Sequence, residues 1–266
     1  ACPVKAHLAG HAAAVLTPED VNTMESIEAI HDLAPDLIVV VAYGQILKPA
    51  LLQISAAGVI NLHASLLPKY RGAAPITWAI ANGDSVTGVT TMHINERMDA
   101  GDIILQREVP IAADDTGGVL HDRLARIGAD LLRETIGMLQ AGCAPRRAQN
   151  DAWATRAPKL TKSAGRIDWR LPAQTLCNRV RAFQPWPGSF FEMPRGSGRM
   201  VRVGRAQAAE SMTAEPGTIM VRDGMLTVAA GQGSVRVLEI QPEGRTMMAV
   251  DVFLRGNQVR DGIVAG

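Results

Sequence analysis

Asp36-Leu-Ile-Val-Val-Val-Ala-Tyr43-Gly44 is the stretch on which the fold turns. Its unbroken β-branched and aliphatic run is short, ends at glycine and predicts a strand buried on both faces, as in a parallel sheet. Upstream, Val21 to Leu33 carries apolar residues at helical spacing, and Thr17-Pro-Glu-Asp20 offers a capping threonine followed by proline. A helix that feeds a buried strand implies a crossover unit. Downstream, Gly58-Val-Ile-Asn-Leu-His63 reads as a second strand, and the alternation in Thr87-Gly-Val-Thr-Thr-Met-His-Ile94 predicts a half-exposed third. Ala74 to Asn82 reads as a helix between them. Thr116 to Gln140 places Leu120, Leu124, Ile127 and Leu131 on one stripe, which predicts a long amphipathic helix.

This alternation indicates the α/β class, with an open, mostly parallel, Rossmann-like sheet whose ligands lie beyond the carboxyl ends of the strands. Asn61 and His63 stand at such an end. The sheet is expected to be cut short at its amino side, because such a domain ordinarily opens on a strand and here Ala1-Cys-Pro3 leads directly towards a helix. From Asp151 to Pro172 the texture turns polar and basic. Beyond Met200, Val201–Val203, Gly217–Val221, Met225–Ala229 and Ser234–Ile240 alternate, with turns at Asp223-Gly224 and Gly231-Gln-Gly233, which predicts a small β-barrel. The expected division is a first domain over 1–145, a linker over 146–172 and a barrel domain over 173–266.

At 47% hydrophobic and 20% charged, the 266 residues have the composition of a folded globular chain, which excludes disorder, collagen and coiled coil. No apolar run nears the roughly 20 residues of a spanning helix, so no membrane role and a cytoplasmic location are expected. Cys2, Cys143 and Cys177 match no metal or redox spacing and are expected to be inert thiols. The net charge of +1 is unevenly spread. Basic residues accumulate between Arg146 and Arg205, as a nucleic-acid partner would require and as a solvated surface also allows.

Asn61-Leu-His63 is followed by Ser65-Leu-Leu-Pro68 and Arg71-Gly-Ala-Ala-Pro75, and Asp99 stands in Met98-Asp-Ala-Gly-Asp102. Side chains two apart on a strand share a face, so Asn61 and His63 can meet one substrate atom. Acyl transfer to an amine needs a donor for the developing oxyanion, an acid or base active near neutral pH, and a carboxylate to set the state of the imidazole. Asn, His and Asp supply these without a nucleophile or a metal, although such a pair on a strand also fits a structural role. Asp102 beside Asp99 completes no ligand set, so no metal is expected. His7, His11, His31, His93 and His121 have no comparable surroundings and are expected to be non-catalytic.

Asn61 to Pro75, with Gly88-Val-Thr90 and Met98 to Asp102, resembles the signature of the folate-dependent formyltransferases. The resemblance implies a catalytic trio of Asn61, His63 and Asp99 and a co-substrate, 10-formyltetrahydrofolate, bordered by Ser65, Leu66, Leu67 and Pro68. It places the folate ring near Val40, Val41, Ala42, Tyr43 and Gly44 and the loop Asn95, Glu96, Arg97 and Met98. Ala157-Pro-Lys-Leu-Thr-Lys162, Gly165-Arg-Ile-Asp-Trp169, Arg181-Ala-Phe-Gln-Pro-Trp-Pro-Gly188 and Leu238-Glu-Ile-Gln-Pro-Glu-Gly244 are similar to the branch of that family that formylates methionyl-initiator tRNA. That branch carries a carboxyl domain of the oligonucleotide-binding (OB) type. The implied partner is initiator methionyl-tRNA, with phosphate contacts expected at Arg71, Lys159, Lys162 and Arg166, and the chain is expected to be a monomer. The same trio serves relatives that formylate amino sugars or glycinamide ribonucleotide, or that hydrolyse the carrier. An inert RNA- or folate-binding protein is the reading from another class.

Overall fold

A computed structural model describes residues 3–266, so Cys2 lies outside the described residues. The chain opens with α1 (Pro3–His7), α2 (Met24–Asp32), β1 (Ile38–Val41), α3 (Pro49–Leu52) and β2 (Val59–His63). It continues with β3 (Arg71–Gly72), α4 (Pro75–Ala81), β4 (Val86–His93), β5 (Ile103–Pro110) and α5 (Gly117–Gln140). α5 begins where its sequence signal lies, with the Thr116 side chain accepting the N–H of Val119. α2 instead begins at Thr23, whose hydroxyl accepts the N–H of Ser26, and not at Thr17. The reason is local. The Asp20 carboxylate takes both the N–H and the side-chain amide of Asn22, and its carbonyl accepts from the Ser26 hydroxyl, a turn that interrupts any helix running through it.

The first sheet has the order β1-β2-β4-β5; β1 runs parallel to β2, whereas β2–β4 and β4–β5 are antiparallel. The α/β class stands, with a mixed rather than mostly parallel sheet among the described strands. Two strands trade their expected environments. Among the described strands β1 is the edge, with Val39 36% and Val41 52% exposed. β4 lies between β2 and β5 and is buried from Thr87 to His93. Its threonines satisfy themselves inside: Thr90 Oγ1 donates to the Ser65 carbonyl at 2.6 Å, and the Thr91 and Thr135 hydroxyls share a bond of 2.8 Å. A hydrogen-bonded hydroxyl can be buried, and so the alternation of β4 misleads. α5 covers the sheet with Leu120, Leu124 and Leu131 in a core shared with Ile80, Val89 and Phe183. Each such side chain contributes about 1.5–3 kcal/mol on burial. Gly128 permits the close approach of α5, since a Cβ there would stand 2.9 Å from Leu62 Cδ2.

The second half comprises β6 (Arg156–Ala157), α6 (Ala173–Ala182), β7 (Ser189–Glu192), β8 (Met200–Ala209), β9 (Ile219–Arg222), β10 (Met225–Ala229), β11 (Ser234–Pro242), β12 (Met248–Ala249) and α7 (Val250–Gly256). β6 pairs in parallel with β3, joining Arg71 to Arg156 and Gly72 to Ala157. Arg147 exchanges backbone bonds with Ile103 at 2.8 and 3.0 Å, and the Ile167 N–H donates to the Phe190 carbonyl at 2.8 Å. Residues 146–172 are therefore fastened to both halves. The second sheet runs β7-β8-β11-β10-β9, with β12 on β11. Asp223 and Gly224, at φ 50° and 72°, form the tight turn that joins β9 to β10. The strand ladder leaves β7 and β9 unpaired with each other, and residues 262–266 span the gap. Gly262 and Ala265 donate to the carbonyls of Ile219 and Gly217, while Gly266 and Glu192 exchange both backbone bonds at 2.8 Å.

Inside this sheet Trp169 and Phe191 meet edge to face at 5.3 Å. Cys177 is buried, and burial pushes its thiol up to about 11; Cys143 is exposed. Among the described residues no helix is long and apolar enough to cross a membrane.

Candidate active site

β2 directs Leu62 at α5, which turns Asn61 and His63 to the opposite face. His63 is buried, with Nε2 2.9 Å from the carbonyl oxygen of Tyr70. A carbonyl can only accept, so Nε2 holds a proton and donates it. That bond fixes the ring and leaves Nδ1 towards Asp99, whose Oδ1 lies 3.8 Å away. At this distance the two groups face each other without being hydrogen-bonded. The half-buried Asn61 amide makes no side-chain hydrogen bond among the described residues.

Tyr70 and Asp99 both have left-handed backbones, at φ 62° and 49°. The bend at Tyr70 accompanies the approach of its carbonyl to His63. Its ring is anchored behind the site, the hydroxyl donating to Asp84 Oδ2 at 2.9 Å and accepting from Asn82 Nδ2 at 3.2 Å. Burial, opposed by the Asn82 bond and reinforced by the Asp84 carboxylate, pushes this phenol up to about 12. Asp99 Oδ2 accepts the N–H of Gly72 at 2.8 Å. Gly72 has φ +122°, and a Cβ there would stand 2.6 Å from the Ala157 carbonyl oxygen, so the passage of β6 requires glycine.

Two residues that the sequence reading did not single out complete the surroundings. Gln149 Nε2 donates to the carbonyls of Asp99 and Gly101 at 2.9 and 2.8 Å, and its Oε1 accepts from Arg71 Nε and Nη2 at 3.1 and 2.8 Å. Asp151 accepts from Arg71 Nη2 and from Arg97 Nη1, each at 2.9 Å, and these two arginines hold its carboxyl below the usual range. Their only signal was a polar run, Gln149-Asn-Asp151, of the kind any loop contains.

The other expected residues fall into distinct settings. Ser65 is buried and its hydroxyl donates to the Lys69 carbonyl at 2.6 Å. Leu67 packs on Met92 and Ile103, leaving Leu66 and Pro68 half-buried at the rim. Val40 is half-buried in register with Asn61, whereas Val41, Ala42, Tyr43 and Gly44 are exposed beside it. Asn95 Oδ1 accepts the Arg97 N–H at 2.9 Å; Glu96 is exposed, as is Met98. Arg71 has only 15% of its side chain exposed and is engaged with Gln149 and Asp151, which competes with the expected phosphate contact. Lys159 and Lys162 are exposed, and Arg166 is exposed with its guanidinium 3.8 Å from the Glu192 carboxylate. Asp102 turns to Arg146 at 3.4 Å rather than to Asp99. His93 is buried, and burial together with Arg146 pushes its imidazole down, which favours the neutral ring.

The formyl transferase family matches residues 3–136, and the family's C-terminal domain matches residues 159–258. The chain is 47% identical over 264 residues to the methionyl-tRNA formyltransferase of Symbiobacterium thermophilum, a match that covers 98% of this chain and 80% of that protein. In fold it is similar to WlaRD, a sugar 3N-formyl transferase solved in the presence of dTDP and 5-N-formyl-THF, with a TM-score of 0.63, 18% identity and coverage of 82% of this chain and 77% of that one. It is also similar to a variant of HypX from Aquifex aeolicus, with a TM-score of 0.63, 20% identity and coverage of 93% of this chain; it spans only 45% of HypX. The solved structures speak for the fold alone. The sequence matches extend over both halves, and on them the chain belongs to the formyl transferase family.

Proposed function

We propose that this protein transfers the formyl group of 10-formyltetrahydrofolate to the α-amino group of methionyl-initiator tRNA, the step that prepares that tRNA for translation initiation. The observation that carries the reading is the trio at the end of β2. There an uncommitted Asn61 amide shares a strand face with His63, whose Nδ1 is turned to Asp99 at 3.8 Å, in a chain 47% identical to a methionyl-tRNA formyltransferase.

The chemistry follows from what each atom is free to do. The carrier supplies the formyl carbon. Asn61 donates an amide N–H to the oxygen that gains charge as the amine adds, and His63, protonated at Nδ1, supplies a second donor. The Tyr70 carbonyl occupies Nε2, so proton exchange at this ring falls to Nδ1. Asp99 receives the proton of the amine at Oδ1, directly or through a water, while Oδ2 stays on Gly72; as the tetrahedral adduct collapses, the bond from the formyl carbon to N10 of the carrier breaks, N10 takes up that proton and tetrahydrofolate leaves. Neither step requires a metal.

Exposed Val41 and Tyr43, just beyond the Val40 that is in register with Asn61, offer apolar surface that suits a flat heterocycle, and the Ser65–Pro68 segment borders the carrier on this reading. The loop from Asn95 to Met98 forms the facing wall of this reading. Lys159, Lys162 and Arg166 lie close in sequence to β6, which pairs with the Arg71–Gly72 strand, and supply positive charge for tRNA phosphates. The reading includes a monomer that acts in the cytoplasm.

The test is transfer of labelled formyl from 10-formyltetrahydrofolate to charged initiator tRNA, beside uncharged tRNA and an amino sugar. Label on the charged tRNA alone is expected. Label on the sugar, or on nothing, would overturn the substrate assignment.

A further inference from the structure

We propose that Gln149 is a positioning residue that sets the place of the Asp99 carboxylate, and that Arg71 serves this arrangement rather than a tRNA phosphate. The inference rests on the proposed formyl transfer and deepens it.

The primary amide of Gln149 has two N–H donors and an oxygen with two acceptor sites, and all four are used: two on the carbonyls of Asp99 and Gly101, two by Arg71. The orientation of the amide is therefore unique, since a flip would set its oxygen against two carbonyls and its NH₂ against a guanidinium. The bonds also close a circuit. Asp99 Oδ2 accepts from the Gly72 N–H, Gly72 follows Arg71 in β3, Arg71 donates to Gln149, and Gln149 donates back to the Asp99 carbonyl. Side chain and main chain of Asp99 are thus tied to one frame. That frame holds the left-handed backbone of Asp99, which would otherwise relax towards an ordinary conformation and turn Oδ1 away from His63. The same bonds commit Arg71 Nε and Nη2, and the Asp151 carboxylate occupies Nη2 a second time.

Two substitutions separate the parts of the amide. Gln149→Glu keeps an acceptor for Arg71 but places a carboxylate oxygen against the carbonyls of Asp99 and Gly101; Gln149→Met fills the volume and makes neither set of bonds. Both are expected to lower kcat by at least about tenfold, in line with the cost of misplacing a reacting group by a fraction of an ångström, while KM for folate and for charged tRNA stays within about twofold. Backbone amide exchange at Gly72 is expected to quicken by a similar factor in both variants, with α5 unchanged. A Gln149→Glu enzyme with wild-type kcat would overturn the proposal. So would a raised KM for tRNA at constant kcat, which would make this cluster a tRNA contact. If the wild-type protein transferred no formyl group, the functional reading would fail and Gly72 exchange would decide alone: faster exchange sustains the positioning role, and unchanged exchange overturns it.

Discussion

The two flanks of the candidate site are built by opposite means. On the Asp99 flank, Gly72, Asp99, Arg71 and Gln149 are joined by short hydrogen bonds, the Tyr70 carbonyl takes the His63 ring, and the backbones of Tyr70 and Asp99 are left-handed. On the β1 flank, Val41 and Tyr43 stand exposed at the end of β1 and Met98 in the loop between β4 and β5. A reaction that moves protons over fractions of an ångström needs groups set before the substrate arrives, whereas an apolar binding surface is completed by the ligand that covers it. On the proposed reading, the first flank governs kcat and the second governs KM.

The largest effects should come from the oxyanion donors that the first flank serves. Asn61→Ala and His63→Ala each remove a donor for the oxyanion and are expected to lower kcat by about 10²–10³ in single-turnover transfer; thermal unfolding should change little for half-buried Asn61, whereas His63→Ala also strips the buried Tyr70 carbonyl of its partner and should unfold at a lower temperature. Activity within a few-fold of wild type would end the contrast between the flanks. Gly72→Ala comes next. It forces a Cβ to within 2.6 Å of the Ala157 carbonyl oxygen at φ +122°, and should cost roughly 1–3 kcal/mol in urea denaturation while also lowering kcat.

Tyr70 offers a pH test of the same flank. Its folded phenol ionises at about 12 against an ordinary 10.0, so from pH 10 upward the unfolded chain loses this proton before the folded one. Stability is then fully present below pH 10 and falls as pH rises through 12, by on the order of 2 kcal/mol. Tyr70→Phe should remove that alkaline step from the urea midpoint measured against pH. The smallest effects on folding belong to the second flank: Val41→Ser and Tyr43→Ala should change stability by no more than about 0.5 kcal/mol, yet raise KM for the folate substrate at constant kcat. A fall in kcat instead would place these residues with the reacting groups.

The site was legible at uneven depth. Asn61, His63 and Asp99 stood out because a formyltransferase-like signature surrounds them, and the structure brings His63 and Asp99 within 3.8 Å. Gln149 was invisible, since a polar residue in a loop acquires meaning only through the four bonds it makes. The engagement of Arg71 was hidden for the same reason: a cation in the sequence reads as available until its partners, here Gln149 and Asp151, are known. β4 shows the difficulty within the fold, because alternation reports chemistry but not cover, and its threonines found partners inside.

What the sequence determined by itself was local and chemical: the long amphipathic helix over residues 116–140, the strand at Val59–His63, the Asp223-Gly224 turn and the residue types at the centre of the site. Strand order, the exposure of β1, the burial of β4 and the circuit through Gln149 came only with tertiary structure. Periodicity and capping are properties of neighbours in the chain, whereas burial and hydrogen-bond partners depend on segments such as 71–72, 99–101 and 147–157, which meet only after the chain has folded.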